Sequence, residues 1–331
     1  MRAVVLVGGF GTRLRPLTYS VPKPMLPVGH VPIIERLVAN LVRGGVTDVT
    51  LALGFKPEPF VEAFPAGVCA GARLHYAVEP EPLDTAGAIR FAADAAGIDD
   101  TFIVANGDVL TDLDVSRLVA FHRDRGAEAT VHLIAVDDPS AFGVVALDGD
   151  GRVERFVEKP APGTEPSNLV NAGTYVLEPS VLARIPVGEK VSIERSTFPA
   201  VVASGGLFAL ATDDYWIDTG KPDLYLAANL DLLDGRRPHD RCEGQAPGAT
   251  VHPSAVVETS IVAAGVTVGP RARLVRSVLL GGAVVDADAE VVGSVVMGRV
   301  SASASVIDCV IGADAVVGPG EVVTGERRPS P

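Results

Sequence analysis

The sequence predicts two kinds of structure in one chain: an α/β domain built on a mixed, mainly parallel sheet, then a parallel β-helix. Three observations carry this. Short β-branched runs alternate with helical patterns from Met1 to about Leu233; a polar stretch with Pro238, Gly244, Pro247 and Gly248 follows; and beyond it aliphatic residues recur every six positions. The spacing predicts boundaries of 1–233 for the first domain, 234–250 for a linker and 251–325 for the β-helix.

Taken in order, Ala3–Val7 reads as the first buried strand. Pro32 opens an amphipathic helix whose apolar face is Ile33, Ile34, Leu37, Val38, Leu41 and Val42, and Gly44 and Gly45 end it. Val49–Leu53 and Thr101–Ala105 are further strands. Between Gly126 and Tyr175 the runs EATVHLIAV, FGVVAL, RVERFV and NLVNAGTYVL predict more, several of them antiparallel. Past the linker the six-residue period runs through Val262, Val268, Leu274 and Leu280, then Val300 and Val306, then Ile311, Val317 and Val323. Such a period is neither helical nor a simple strand alternation, and it fits coils that stack one aliphatic per face into a narrow core. A β-rich sandwich with accidental spacing is the alternative. Steps of five at Val257–Val262 and Val306–Ile311, and a blurred stretch from Asp286 to Met297, mark imperfect coils.

Composition narrows the function. With 331 residues and 47% hydrophobic but 5% aromatic content, small aliphatics must fill a sizeable interior. A formal net charge of -13 gives nucleic-acid binding no electrostatic footprint. Cys69, Cys242 and Cys309 lack paired spacing, which argues against zinc and a disulfide framework. No run of about 18 uncharged apolar residues occurs and the first residues enter a strand pattern without a signal-peptide profile, so a cytoplasmic protein with no membrane partner is expected.

The densest basic stretch is VLVGGFGTRLRPLTYSVPKPMLPV, Val5 to Val28. It is not a Walker-type loop, since the one Gly-Lys pair of the chain, Gly220-Lys221, is followed by Pro222. It is not a dinucleotide fingerprint either, because Pro16, Pro22, Pro24 and Pro27 forbid a regular helix behind the glycines. What remains is a long extended loop at a strand's carboxyl end. Its glycines allow close backbone approach, and Arg13 and Lys23 can bind phosphate oxygens. On these residues alone the alternatives are an anion site and a solvated basic loop.

Residues 8–27, GGFGTRLRPLTYSVPKPMLP, resemble the signature of the sugar-1-phosphate nucleotidyltransferases. EPEPLDTAGA (79–88), NGDVL (106–110), FG (142–143), VEKP (157–160), NAGTYVL (171–177) and YWIDTGKPDLY (215–225) follow in that family's order. The resemblance spans the first domain and implies a Rossmann-like sheet with helices on both faces; a left-handed β-helix tail accompanies many members. Among subgroups the chain most resembles the bacterial mannose-1-phosphate guanylyltransferases. The reaction so implied joins a nucleoside triphosphate, GTP, to a sugar 1-phosphate, mannose 1-phosphate, with release of pyrophosphate; other triphosphate and sugar or cyclitol phosphate pairs remain open. The attacking phosphate oxygen is already anionic, so the chemistry needs positioning and charge neutralisation, not a general base.

The resemblance also implies roles. Arg13, Lys23, Asp108, Lys159 and Asp218 are the expected catalytic set, with Asp108 and Asp218 holding Mg²⁺ against the phosphates. Leu6, Gly8, Gly9, Gly11, Thr12, Arg13, Glu79, Asp84, Thr85, Ala86, Asn106 and Gly107 would meet the nucleotide. Gly143, Glu158, Lys159 and Asn171, with Lys23 and Asp218, would meet the sugar phosphate. An ionised Glu79 accepts only, which matches the N1–H and N2–H₂ donors of guanine. Asp112 and Asp114 read better as turn or cap residues, since a helical pattern begins at Val115. Asp84 departs from the family resemblance, where glycine is common at that position; its carboxylate either alters hydroxyl recognition or points to solvent. Past the linker the one histidine is His252, so acyl transfer by the coils lacks its usual base, and the β-helix is expected to support homo-oligomers. A non-catalytic regulatory homologue is the competing class.

Overall fold

The computed structural model describes residues 1–9, 11–54, 57–237 and 240–330; Phe10 of the glycine-rich loop, Phe55, Lys56, Pro238 and His239 of the linker, and Pro331 lie outside the described residues. The chain divides into two compact units, Met1–Gly9 with Ile34–Trp216, and Phe10–Ile33 with Ile217–Pro331. Most of the glycine-rich loop, which the sequence places in 1–233, therefore clusters with the coils.

The first unit is built on ten strands: β1 (Arg2–Leu6), β2 (Asp48–Leu53), β3 (Val68–Cys69), β4 (Ala72–Val78), β5 (Phe102–Asn106), β6 (Ala129–Ala135), β7 (Gly143–Leu147), β8 (Val153–Glu158), β9 (Leu169–Leu177) and β10 (Leu207–Thr212). They run in the order β8-β7-β9-β5-β1-β2-β4-β3, with β6 between β9 and β10. Strands β4, β2, β1 and β5 are parallel. Strand β9 pairs antiparallel with β5, β7 and β6, and β7 with β8, as the runs between Gly126 and Tyr175 suggest, while β10 runs parallel to β6. Helices are α1 (Ile33–Arg43), α2 (Glu58–Ala63), α3 (Asp84–Ala95), α4 (Val115–Arg125), α5 (Pro179–Leu182), α6 (Phe198–Ala203) and α7 (Pro222–Leu233). Helix α1 starts directly after Pro32, and Gly45, at φ +90°, turns the chain out of it. Asp114 caps α4, accepting from Ser116 N and Arg117 N. The core is aliphatic with few rings: Val4, Ala52, Ile89, Val104 and Val131 pack with Phe102, Tyr175 and Phe198.

In the second unit, two- and three-residue strands from Thr250 to Arg328 form three five-stranded parallel sheets, the faces of a left-handed parallel β-helix. Val257, Leu274, Val291, Val306 and Val323 stack in register, so successive coils are 17, 17, 15 and 17 residues long. This corrects the spacing read from the sequence. A step of five is the regular third side of a coil, which makes Leu279, not Leu280, the residue stacked between Val262 and Val296. The stretch from Asp286 to Met297 is ordinary coil; the shortened side comes after it, where Val300 follows Val296 by four residues.

One corner of the coils is tied by side chains. Ser260 Oγ accepts from Ser277 N, Ser277 Oγ from Ser294 N, and Ser294 Oγ from Cys309 N, each hydroxyl also donating to a carbonyl of its own coil. Buried amides that no strand pairs are thereby satisfied. Among the described residues no helix is long and apolar enough to cross a membrane.

Candidate active site

The expected site residues fall into two sets, one on each unit. In the second unit the glycine-rich loop is not extended, contrary to the sequence reading. It folds into three single 3₁₀ turns, Thr12–Leu14, Leu17–Tyr19 and Lys23–Met25. The prolines exclude a regular helix but tolerate one-turn segments, where few amide donors are needed. Gly11, at φ +59°, starts the first turn, and its carbonyl accepts from Thr18 Oγ1.

This folding buries Lys23, which is only 6% exposed. Its Nζ lies 3.3 Å from Asp218 Oδ1, and Arg13 Nη2 lies 4.0 Å from Asp218 Oδ2. Asp218 Oδ1 also accepts from Gly220 N at 2.8 Å. A Cβ on Gly220 would stand 2.7 Å from Arg13 Nη2 and 3.1 Å from Lys23 Nζ, so the backbone there carries no side chain between the two cations. Two cations and one carboxylate thus converge on a bare backbone, and the solvated-loop alternative does not hold for Lys23. Arg13 keeps its side chain 61% exposed.

In the first unit, Leu6, Gly8, Gly9, Glu79, Asn106 and Gly107 of the set expected at the nucleotide lie at or just past the carboxyl ends of parallel strands and Asp84, Thr85 and Ala86 open α3, whereas Gly11, Thr12 and Arg13 belong to the second unit. The strand order changes direction between β1 and β5, the switch point where open α/β sheets bind ligands. Gly8 follows β1, and Gly107 donates its N–H to Leu6 O at 2.8 Å. A Cβ on Gly107 would meet that oxygen at 2.7 Å, so glycine is required for the approach. Asn106 ends β5 and Asp108 sits in the turn beyond it, half-buried. Glu79, 7% exposed, turns inward. Its Oε2 accepts from Leu83 N at 2.9 Å, while Oε1 faces Gly8. Burial raises its pKa above the ordinary carboxylate value, partly offset by the Leu83 amide.

Asp84 has φ +60° and accepts from Thr85 N through Oδ1. Thr85 and Ala86 are tied to a distant segment: Thr85 Oγ1 donates to Glu194 Oε2 and accepts from Ile193 N, and Ala86 N donates to Val191 O. Of the residues expected at the sugar phosphate, Gly143 pairs with Glu158 across β7 and β8, while Lys23 and Asp218 belong to the second unit. Burial raises the Glu158 pKa, Glu194 adds to this, and Lys159 opposes it. Lys159 Nζ is 3.4 Å from Glu158 Oε1, and the lysine has φ +49° with 59% of its side chain exposed. Asn171 accepts from Gly173 N and donates to Tyr175 OH. Phe142 and Trp216 meet edge to face at 5.7 Å, and Trp216 Nε1 donates to Ala172 O.

Glu194, Phe142 and Trp216 join this cluster without having been singled out from the sequence. The aromatic pair lies inside the quoted FG and YWIDTG motifs, which was the available signal. Glu194 had none, because its partner Thr85 is 109 residues away.

Among the described residues no cluster of three or more His, Cys, Asp or Glu forms a ready cage for a metal. Hard divalent cations take one or two carboxylates and complete their shell with phosphate oxygens and water, and the carboxylates expected to serve are Asp108 in the first unit and Asp218 in the second.

A family model described as nucleotidyl transferase matches residues 2–235. The mannose-1-phosphate guanylyltransferase of Mycobacterium tuberculosis is 41% identical over 259 residues, 77% of this chain and 71% of that protein. The protein named probable mannose-1-phosphate guanylyltransferase 1 of Oryza sativa subsp. japonica is 41% identical over 268 residues, 78% of this chain and 73% of its own length. Among solved structures, HddC from Yersinia pseudotuberculosis superposes with a TM-score of 0.59 at 30% identity, over 69% of this chain and 97% of that one. The family model covers more than half of the chain, and the chain belongs to the nucleotidyl transferase family.

Proposed function

We propose that this enzyme joins GTP and mannose 1-phosphate to give GDP-mannose and pyrophosphate. The observation that carries the reading is the convergence of Arg13 and Lys23 on Asp218 around the bare Gly220 backbone. A buried lysine and an exposed arginine beside one carboxylate suit a triphosphate and a hard divalent ion better than any neutral ligand. The relatives' names supply the substrate pair.

A phosphate oxygen of mannose 1-phosphate attacks the α-phosphorus in line, and pyrophosphate leaves from the opposite side. Lys23, already buried and paired, neutralises charge at the α-phosphate without further ordering. Arg13 takes the β- and γ-phosphates and stabilises the leaving group. Lys159 binds the phosphate of the sugar, while Glu158 accepts from its hydroxyls and Asn171 is held by Gly173 and Tyr175. Asp108 and Asp218 are the carboxylates that would hold Mg²⁺, which would supply Lewis-acid charge neutralisation at the phosphates. Glu79 reads guanine through Oε1, its Oε2 being engaged by Leu83 N. A nucleoside triphosphate substrate implies a cytoplasmic site of action. Exposed Val256, Val316 and Val322 on the coil faces suit contacts between copies of the chain.

The test is release of pyrophosphate from GTP and mannose 1-phosphate with Mg²⁺. Turnover with this pair exceeding that with other triphosphates and sugar phosphates supports the reading; preferential use of another pair overturns the substrate assignment.

A further inference from the structure

Arg13 is anchored by the far end of the chain. Its carbonyl oxygen accepts a hydrogen bond from Arg327 Nη1 at 2.9 Å. Within the loop, Leu14 N bonds Gly11 O and Arg15 N bonds Thr12 O, so the 3₁₀ turn uses the carbonyls on the N-terminal side of Arg13. Arg327 supplies the donor for the next one.

Three residues further on, Pro16 lies against Gly312. A Cβ on Gly312 would stand 2.9 Å from Pro16 Cβ and 3.1 Å from its Cγ, so only glycine lets the loop settle this closely. Gly312 and Arg327 belong to neighbouring coils on one face of the β-helix, where Ile311 pairs with Arg328 and Gly312 N bonds Arg328 O at 2.7 Å. The Arg13 side chain is largely exposed, and the ion pair with Asp218 spans 4.0 Å. The direction of its guanidinium therefore depends on where the backbone is held.

Arg327 makes its bond from an open position. It is exposed and borders a groove of about 680 Å³ between α7 and the coils, with Leu226, Leu230, Val295 and Val310 on the walls. Removing its side chain opens no core cavity, so its loss need not unfold the coils.

We infer that Arg327, supported by Gly312, is a positioning residue for nucleotidyl transfer. The last coils of the β-helix hold the backbone at Arg13 so that its guanidinium meets the triphosphate. This rests on the assignment of Arg13 to the β- and γ-phosphates. It gives the β-helix a role in the chemistry beyond association of subunits.

The experiment uses the full chain. Arg327→Ala should raise KM for GTP roughly fivefold, the scale of one hydrogen bond, and leave KM for mannose 1-phosphate and the thermal midpoint unchanged. Arg327→Lys, which keeps one donor, should recover most of the loss, and Gly312→Val should reproduce it by displacing Pro16. In an Arg13→Ala background, Arg327→Ala should cause no further loss, because it acts through Arg13. Additive losses, or an unchanged KM for GTP where Arg13→Ala raises it, overturn the inference. If Arg13→Ala is itself without effect, the phosphate assignment fails instead. Amide hydrogen exchange then decides the positioning role: Arg327→Ala should speed exchange at residues 12–19, and an unchanged loop contradicts it.

Discussion

Lys23 is held by burial and by Asp218, 195 residues away. A buried ammonium persists as a charge only with such a partner. Asp108 is the other carboxylate proposed to hold Mg²⁺: Asp108→Asn should remove most turnover, with an unchanged far-UV spectrum and thermal midpoint. Glu79 makes a second prediction. Since burial raises its pKa, the carboxyl protonates earlier in acid than an exposed glutamate and becomes a donor facing the guanine N1–H. KM for GTP should therefore rise as pH falls through that raised value, and Glu79→Gln should flatten the profile and narrow the preference for GTP over ATP. A preference unmoved by the substitution would rule out side-chain readout. Asp84 was visible as a departure from the family, but its left-handed backbone and its bond to Thr85 N were not. Motif residues could be read because their chemistry is local; the Thr85–Glu194 pair could not, because no periodicity links positions so far apart.

Among the elements, strands and helices of the first unit followed their patterns closely. Observed bounds differ from the expected ones by about a residue, as end fraying allows. The coils were harder to read. A six-residue period was plain, but the 17-residue coil and its one 15-residue exception emerge only from register, because buried Leu280 mimics the stacked Leu279. The corner ladder gives a stability prediction: Ser294→Ala leaves the buried Cys309 N–H without its acceptor and should destabilise the chain by about 1–3 kcal/mol, measured by denaturant unfolding. His132 gives a pH dependence. It lies buried in β6 with Nε2 on Thr212 Oγ1, and burial lowers its pKa from 6.5 to about 4. The unfolded chain binds the proton first, so stability is full above about pH 6.5 and falls as pH drops toward 4. The loss should approach about 3 kcal/mol, and His132→Gln should remove that part of the acid sensitivity.

At the scale of the whole molecule, the matched family region ends at residue 235, yet the loop carrying Arg13 and Lys23 clusters with coils that continue to Arg328. Sequence reading divided the chain at 233 because composition changes there. Contacts divide it elsewhere, since a loop of short turns packs on whatever surface satisfies its carbonyls. Transfer of a guanylyl group to mannose 1-phosphate is measured by a coupled pyrophosphate assay over a matrix of triphosphates and sugar 1-phosphates with Mg²⁺. GTP with mannose 1-phosphate should give the highest kcat/KM, with GDP-mannose and pyrophosphate formed in equal amounts. No pyrophosphate from any pair would contradict it.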